Sequence, residues 1–204
     1  MQFDLQGSDP RFPALRALLA ADGHTLGVGG IPIAPPSAGR GLPYYRNEGY
    51  AVRNAALTAE AAVSLLMQQP DTALMAMDIL LVGYGRIGRA LARRLTALGA
   101  HVIVAARRSE SRALAECEGC RAVDITPLGG TYDAVVNTVP VPLLHGDFGG
   151  ALCLDLASAP GGWNDETPAQ KAPGLPGRYA PKLAARIMRD AIYETVKEEN
   201  LWKS

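Results

Sequence analysis

Residues 83–88 read Gly-Tyr-Gly-Arg-Ile-Gly, and residues 106–109 read Ala-Arg-Arg-Ser. The chemistry that fits the first stretch is phosphate binding. Gly83 would allow a tight turn, Gly85 a close approach of a pyrophosphate to the backbone, and Gly88 close packing of a helix on a strand. Tyr84, Arg86 and Ile87 complete the loop. N–H groups at the start of the following helix, together with the helix dipole, would hold the phosphates. A site for NAD ordinarily places an acidic residue at the end of the next strand, where it accepts from the ribose 2′-OH. Arg107, Arg108 and Ser109 stand there instead. Two guanidinium groups and a hydroxyl suit a 2′-phosphate, so the expected cofactor is NADP, with NAD as the alternative.

A Gly-x-Gly-x-x-Gly pattern is weak alone and becomes specific through its setting. Asp78–Val82 (DILLV) is a continuous apolar run, the buried strand of a parallel sheet. The spacing of Ile87, Ala90, Leu91, Leu95 and Leu98 predicts a helix over 86–98, stopped by Gly99. His101–Ala105 is the next strand, 109–118 a helix, and 121–124, 133–137 and 151–156 further strands. Strand–helix alternation at this spacing predicts an α/β fold, a Rossmann-type parallel sheet with helices on both faces. Ligands lie at the carboxyl ends of such strands. Asn137, Thr138, Val139 and Pro140, after the fourth strand, and Ala157 and Ser158, after the fifth, are therefore expected to line the cofactor. Asp155 reads as a strand-end aspartate that bonds nearby backbone.

Before this region, residues 2–6 read as a short strand, and Pro10 suits the first turn of a helix reaching Ala21. Residues 27–43, dense in glycine and proline, read as a loop with one extended piece at Ile31–Ile33. Thr58 is the expected N-cap of a helix that ends before Pro70, with Glu60 in its first turn. Asp71 and Thr72 are expected to cap a short helical turn that runs to Met77. Residues 159–181 are again rich in proline and glycine, and an amphipathic helix closes the chain from Pro181 to Glu199. The expected division is a reduced N-terminal α/β segment on the substrate side (1–70), a nucleotide-binding domain (71–180), and a C-terminal helix that returns to the domain junction (181–204).

The chain has 204 residues, of which 48% are hydrophobic, enough for one sizeable core or two small ones. Lysine plus arginine equals aspartate plus glutamate at 20 each, so no net basic charge argues for a nucleic-acid partner. No apolar run is long enough for a membrane span, and the N-terminus lacks a secretory pattern, so the expected location is the cytoplasm. The three cysteines, Cys117, Cys120 and Cys153, are too few for a disulfide framework. Cys117-Glu-Gly-Cys120 has no second ligand pair, so no metal site is expected.

GYGRIGRALARRLTALGAHVIVAARR, VVNTVP, LDLASAPGG and APGLPGRYAPKLAARI occur in this order. Together they resemble the family of dipicolinate synthase A-subunits over about residues 44–196. The last two motifs are the specific ones, and GSDPRF at 7–12 resembles that family's first strand-to-helix turn. The resemblance implies a sporulation dehydrogenase acting on a CH–CH group. It would oxidise a dihydro- or 4-hydroxytetrahydrodipicolinate to pyridine-2,6-dicarboxylate with a nicotinamide cofactor, as an oligomer working with the flavoprotein-like B-subunit of dipicolinate synthase. The region before the nucleotide domain is too short for the full α/β domain that the family carries there. A dicarboxylate calls for cationic clamps, and the candidates are Arg11, Arg46, Arg53, Arg178 and Lys182. Arg46 and Arg53 read as solvated charges. Arg178 and Lys182, beside a helix start, are the catalytic-side candidates together with Ser158. Arg11, Asn54, Thr58 and Glu60 are the remaining substrate contacts expected.

Overall fold

The computed structural model describes residues 1–69, 73–126, 128–145, 148–164 and 169–201. In chain order the elements are β1 (Gln2–Leu5), α1 (Phe12–Ala21), β2 (Thr25–Leu26), β3 (Ile31–Ile33), α2 (Glu48–Met67), β4 (Asp78–Val82), α3 (Arg86–Ala97), β5 (His101–Ala105), α4 (Ser109–Cys117), β6 (Arg121–Val123), β7 (Ala134–Asn137), β8 (Leu152–Asp155), β9 (Gln170–Lys171), α5 (Leu175–Tyr179) and α6 (Pro181–Glu198). Short 3₁₀ turns lie at Pro36–Ala38, Tyr44–Arg46 and Leu74–Ala76. The chain forms two compact units, one of residues 1–57 and 176–204 and one of residues 58–175.

The larger unit holds a six-stranded sheet in the order β6-β5-β4-β7-β8-β9, every pair parallel. Numbered from its own first strand, this is the 3-2-1-4-5-6 order of a doubly wound nucleotide fold. β4 is flanked by β5 and β7, so the connections leave in opposite directions there and open a crevice at the carboxyl edge. The strands alternate between two cores. Ile79, Leu81, Val102, Val104 and Val136 face Leu91, Leu95 and Ala115 from α3 and α4, with Ala62 and Leu66 from α2. Leu80, Val82, Val135 and Cys153 face Leu144, Phe148 and Trp163. These last three lie outside helices. Helices were expected on both faces. Among the described residues, the connections after β7 and β8 carry none, and two large side chains and a leucine on extended segments bury that face instead.

The smaller unit has a three-stranded parallel sheet, β2-β1-β3, with Phe3 and Ile33 fully buried against α1 and α6. Leu15 and Leu19 of α1 share this core with Met188, Ile192 and Val196 of α6. The buried stripe of α6 runs through Ala184, Ala185, Met188, Ala191, Ile192, Thr195 and Val196, a helical repeat that leaves Leu183 about half exposed. Pro13, not Pro10, occupies the first turn of α1.

Helix α2 begins ten residues before the expected N-cap at Thr58, which lies mid-helix and is buried. The cap is Asn47, whose Oδ1 accepts from the Tyr50 N–H at 2.8 Å, followed at once by Glu48 in the first turn. The stretch between is rich in alanine and free of proline, so nothing stops the helix earlier. Pro70, Asp71 and Thr72 lie outside the described residues. No helix among the described residues is long and apolar enough to cross a membrane.

Candidate functional site

The glycine turn closes as its spacing requires. Gly83 has φ +94°, and a Cβ there would stand 2.5 Å from the Thr138 Oγ1 and 2.6 Å from Val139. A Cβ on Gly88 would collide with the carbonyl oxygen of Gly83. At Gly85 a Cβ would meet nothing within 4 Å. Gly85 is the N-cap of α3 and offers no side-chain cap, and the space its own side chain would take is open. This is the arrangement a pyrophosphate needs, and the residues present fit that group.

The motif's variable residues have separate roles. Arg86, exposed, is the first residue of α3, and Ile87 packs partly on the core. The Tyr84 side chain was expected beside the nucleotide. It turns into the core and is 7% exposed, and its hydroxyl donates to Glu118 Oε2 at 2.8 Å. Glu118 also accepts from Arg89 at 2.7 Å and from Arg93 at 2.9 Å. The hydrogen bonds from Arg93, Arg89 and Tyr84 hold its carboxyl down to about 2. Sequence reasoning passed over this clamp because Glu118 sits inside the Cys117–Cys120 stretch and is remote in sequence from the turn it braces. Cys120 is buried with its Sγ 3.8 Å from Thr96 Oγ1, and burial pushes its thiol up. Cys117 is exposed.

Arg107, Arg108 and Ser109 are all exposed at the turn from β5 to α4, where Arg108 is the N-cap without a side-chain cap bond. An open hollow beside them is lined by Arg108, Glu110, Ser111 and Leu114. The turn joins the glycine loop through the Gly83 N–H, which donates to the Ala105 carbonyl at 2.9 Å.

The loop after β7 closes over the glycine turn. Thr138 donates from its hydroxyl and from its N–H to the Val82 carbonyl, both at 2.9 Å. Val139 is partly buried and Pro140 exposed. The Asn137 side chain, expected as a ligand contact, is turned inward and 1% exposed. Its Nδ2 donates to the Val139 carbonyl at 2.9 Å and to Asp155 Oδ1 at 2.8 Å, and its Oδ1 accepts from the Val139 N–H at 3.0 Å. Asp155 in turn accepts from the Ala157 N–H at 3.1 Å and the Gly162 N–H at 2.9 Å. Asn137 and Asp155 thus spend their side chains in holding the two loops, 137–140 and 157–162, against each other. Ser158 is exposed on the second loop, beside the half-buried Ala157.

In the smaller unit Arg11 is also committed. Its Nε and Nη2 donate to the two oxygens of Asp9 at 2.8 and 2.6 Å, and Nη1 donates to the Tyr50 hydroxyl at 2.6 Å. The pair is nearly buried, at 11% and 6% side-chain exposure. Burial alone would raise the Asp9 carboxyl, but the hydrogen bonds and charge of Arg11 hold it below its ordinary value. Arg11 was expected to grip a substrate carboxylate, yet it grips one of the protein's own. The Tyr44 hydroxyl, fully buried, has no hydrogen-bond partner among the described residues, and burial pushes it above its ordinary value. Gly177 of α5 lies against Arg11, since a Cβ there would stand 3.1 Å from its Cγ. Arg178 and Lys182 follow, both exposed, on either side of the α6 N-cap Ala180, which carries no side-chain cap. Asn54, half-buried, and Thr58 lie one turn apart on α2, and Glu60 is exposed. Asn54 belongs to the smaller unit, Thr58 and Glu60 to the larger.

Residues 53–143 match the family described as D-isomer specific 2-hydroxyacid dehydrogenase, NAD binding domain. The dipicolinate synthase A-subunit of Bacillus subtilis (strain 168) is 32% identical over 169 residues, which cover 76% of this chain and 57% of that protein. The chain belongs to the family of dipicolinate synthase A-subunits. The crystal structure of the dipicolinate synthase A-subunit from Bacillus subtilis agrees with a TM-score of 0.70 at 26% identity, covering 98% of this chain and 66% of that one. The A-subunit from Bacillus halodurans agrees at 0.65 and 25% identity, covering 93% and 63%. The chain spans 57% of the length of the curated relative it matches. Its larger unit is a dehydrogenase-type nucleotide domain, and the matched segment includes the whole of the glycine turn and the β5–α4 turn.

Proposed function

We propose that this member of the dipicolinate synthase A-subunit family is an NADP-dependent dehydrogenase. It oxidises a dihydro- or 4-hydroxytetrahydrodipicolinate to dipicolinate in the cytoplasm during sporulation. The observation that carries the reading is the open space over Gly85 at an uncapped helix start, in a chain with Arg107, Arg108 and Ser109 at the next strand end. The cofactor, when bound, supplies the hydride acceptor. Loss of a hydride and a proton from a dihydropyridine leaves an aromatic ring, so the protein's task is mainly to hold and orient its reactants. Gly83, Gly85 and Gly88 admit the pyrophosphate, and Arg107 and Arg108 hold a 2′-phosphate with Ser109. Thr138, Val139, Pro140 and Ala157 form the wall that Asn137 braces. Arg178 and Lys182 grip the substrate's carboxylates, and Ser158, Asn54 and Glu60 are further polar contacts; Thr58, buried in the middle of α2, is not among them. The assembly is an oligomer with the flavoprotein-like B-subunit, and it engages neither nucleic acid nor membrane.

The test is formation of pyridine dicarboxylate, followed by ultraviolet absorbance, with and without the B-subunit. Arg178→Ala and Lys182→Ala should each lower kcat/KM by roughly 10- to 150-fold, the loss expected for one charged hydrogen bond, with cofactor affinity unchanged. Wild-type kinetics in both variants would place the clamp elsewhere. A second reading is a non-catalytic nucleotide-binding protein that scaffolds or regulates the B-subunit. The commitment of Arg11 to Asp9 favours it, because that removes one expected substrate cation. Nucleotide binding without turnover, even beside the B-subunit, would decide for the scaffold.

A further inference from the structure

The exposed arginines at the end of β5 sit on a turn that a third arginine holds. Arg112, one turn into α4, bends its side chain back over the start of its own helix. Its Nη1 donates to the Ala106 carbonyl at 2.7 Å and the Arg107 carbonyl at 2.9 Å. Its own N–H donates to the Arg108 carbonyl at 3.2 Å. Three successive carbonyls of the turn therefore converge on one residue. Asp124, just past β6, closes the arrangement with an ion pair to the same Nη1 at 2.9 Å. Asp124 lies beside the turn because the Ala106 N–H donates to the Val123 carbonyl at 3.1 Å. Arg112 and Asp124 are 26% and 55% exposed at the side chain, so the pair is a surface one and adds little to overall stability. Its consequence is local: it fixes the peptide planes from which Arg107 and Arg108 project.

We propose that Arg112, held by Asp124, is a positioning residue for cofactor choice, setting the Arg107–Arg108 turn so that both guanidinium groups can meet a 2′-phosphate. The proposal rests on the NADP reading above. Glu110 and Asp124 are the acidic groups nearest this turn in sequence or by ion pairing. An unanchored turn would let Arg107 and Arg108 fold back onto them instead of projecting toward the phosphate. An NADH complex makes no use of those two guanidinium groups, so it should not sense the loss.

The experiment measures NADPH and NADH affinities by calorimetry for wild type, Arg112→Ala, Arg112→Lys and Asp124→Asn. Arg112→Ala should weaken NADPH by about tenfold, the scale of one charged hydrogen bond, and leave NADH within about twofold. Arg112→Lys should recover part of the ratio, since an ammonium still donates to carbonyls but lacks the planar fork. Asp124→Asn should lower the NADPH-to-NADH ratio in the same direction, and it serves if Arg112→Ala does not fold. A ratio unchanged in Arg112→Ala beside an NADPH-preferring wild type overturns the positioning role alone. A ratio lowered in Arg112→Ala but raised in Asp124→Asn makes Arg112 a direct phosphate ligand and also overturns it. Wild type with equal affinities overturns the NADP reading itself, and this inference with it.

Discussion

In each unit of the molecule the first strand is parallel to its neighbours and leads into a helix, and the two strand-to-helix turns differ in what occupies them. At the glycine turn the start of α3 has no side-chain cap, and the space over Gly85 is open. The start of α1 likewise has no side-chain cap, but at the turn before it the protein places an anion of its own. Asp9 accepts from the Arg11 N–H at 2.9 Å, and Arg11 then locks the carboxylate from the other side. A helix start attracts negative charge in either case. Where the chain supplies the carboxylate, the turn is a structural joint. Where three glycines keep side chains out of the turn, the space over Gly85 stays open. The difference separates the two candidate roles of arginine here. Arg11 neutralises an internal charge, whereas Arg107 and Arg108 remain exposed.

The contrast can be broken from either side. The largest effect expected is at the self-filled turn. Arg11→Ala would leave a nearly buried carboxylate without its partner, a loss of about 3–5 kcal/mol of stability. Thermal and urea unfolding should show it, and nucleotide affinity measured below the transition should stay at the wild-type value. Weakened nucleotide binding with unchanged stability would contradict the structural role assigned to this pair.

Gly85→Val addresses the open turn. A branched side chain fits the local backbone, φ −83° and ψ −160°, and meets no neighbour, so the fold should persist. It would occupy the pyrophosphate position, and affinity should fall by at least about 100-fold, roughly 2.7 kcal/mol. Calorimetric titration beside a melting curve separates the two effects, and affinity within a few-fold of wild type would refute the assignment of this loop.

Replacing Arg107 and Arg108 together by Ala sharpens the comparison further. NADPH binding should weaken by about 1.5–3 kcal/mol in all, the scale of one charged hydrogen bond to the phosphate, with NADH almost unaffected. Equal losses for both nucleotides would mean that these arginines act on the fold and not on the 2′-phosphate.

The smallest effect concerns Glu118, whose carboxyl is held at about 2 against an ordinary 4.5. Because the folded value is the lower one, its contribution is fully present above about 4.5 and is lost as the pH falls through 2. Urea midpoints of wild type and Glu118→Gln should therefore differ at neutral pH and converge toward pH 2. A difference that stays constant with pH would show that the clamp acts through packing and not through charge.

Much of the nucleotide unit is legible in the amino-acid sequence, and the reason is that its signals are local. Strands β4 and β5 begin and end where the apolar runs do, and α3 stops at Gly99 with φ +88°. The missed elements have weak or competing local signals. β2 and β9 are two residues each, and α5 lies in a stretch that proline and glycine mark as loop. The start of α2 was misplaced although its Asn47-Glu48 cap is a readable pattern, because Thr58 offers a second pattern closer to the apolar run. Among the candidate site residues, Gly83 and Gly88 leave no room for a Cβ and Gly85 has open space beside it, whereas Tyr84, Asn137 and Arg11 turn their side chains to the protein itself.

The sequence by itself determined the strand–glycine–helix unit, the parallel sheet and the two arginines at the second strand end, since each depends on residues a few positions apart. Tertiary structure alone decided which polar side chains remain available to a ligand. Arg11 meets Tyr50 across 39 residues, Tyr84 meets Glu118 across 34, and Asn137 meets Asp155 across 18. A buried donor or acceptor must find its partner wherever the fold brings one within about 3 Å, and no local pattern records that distance.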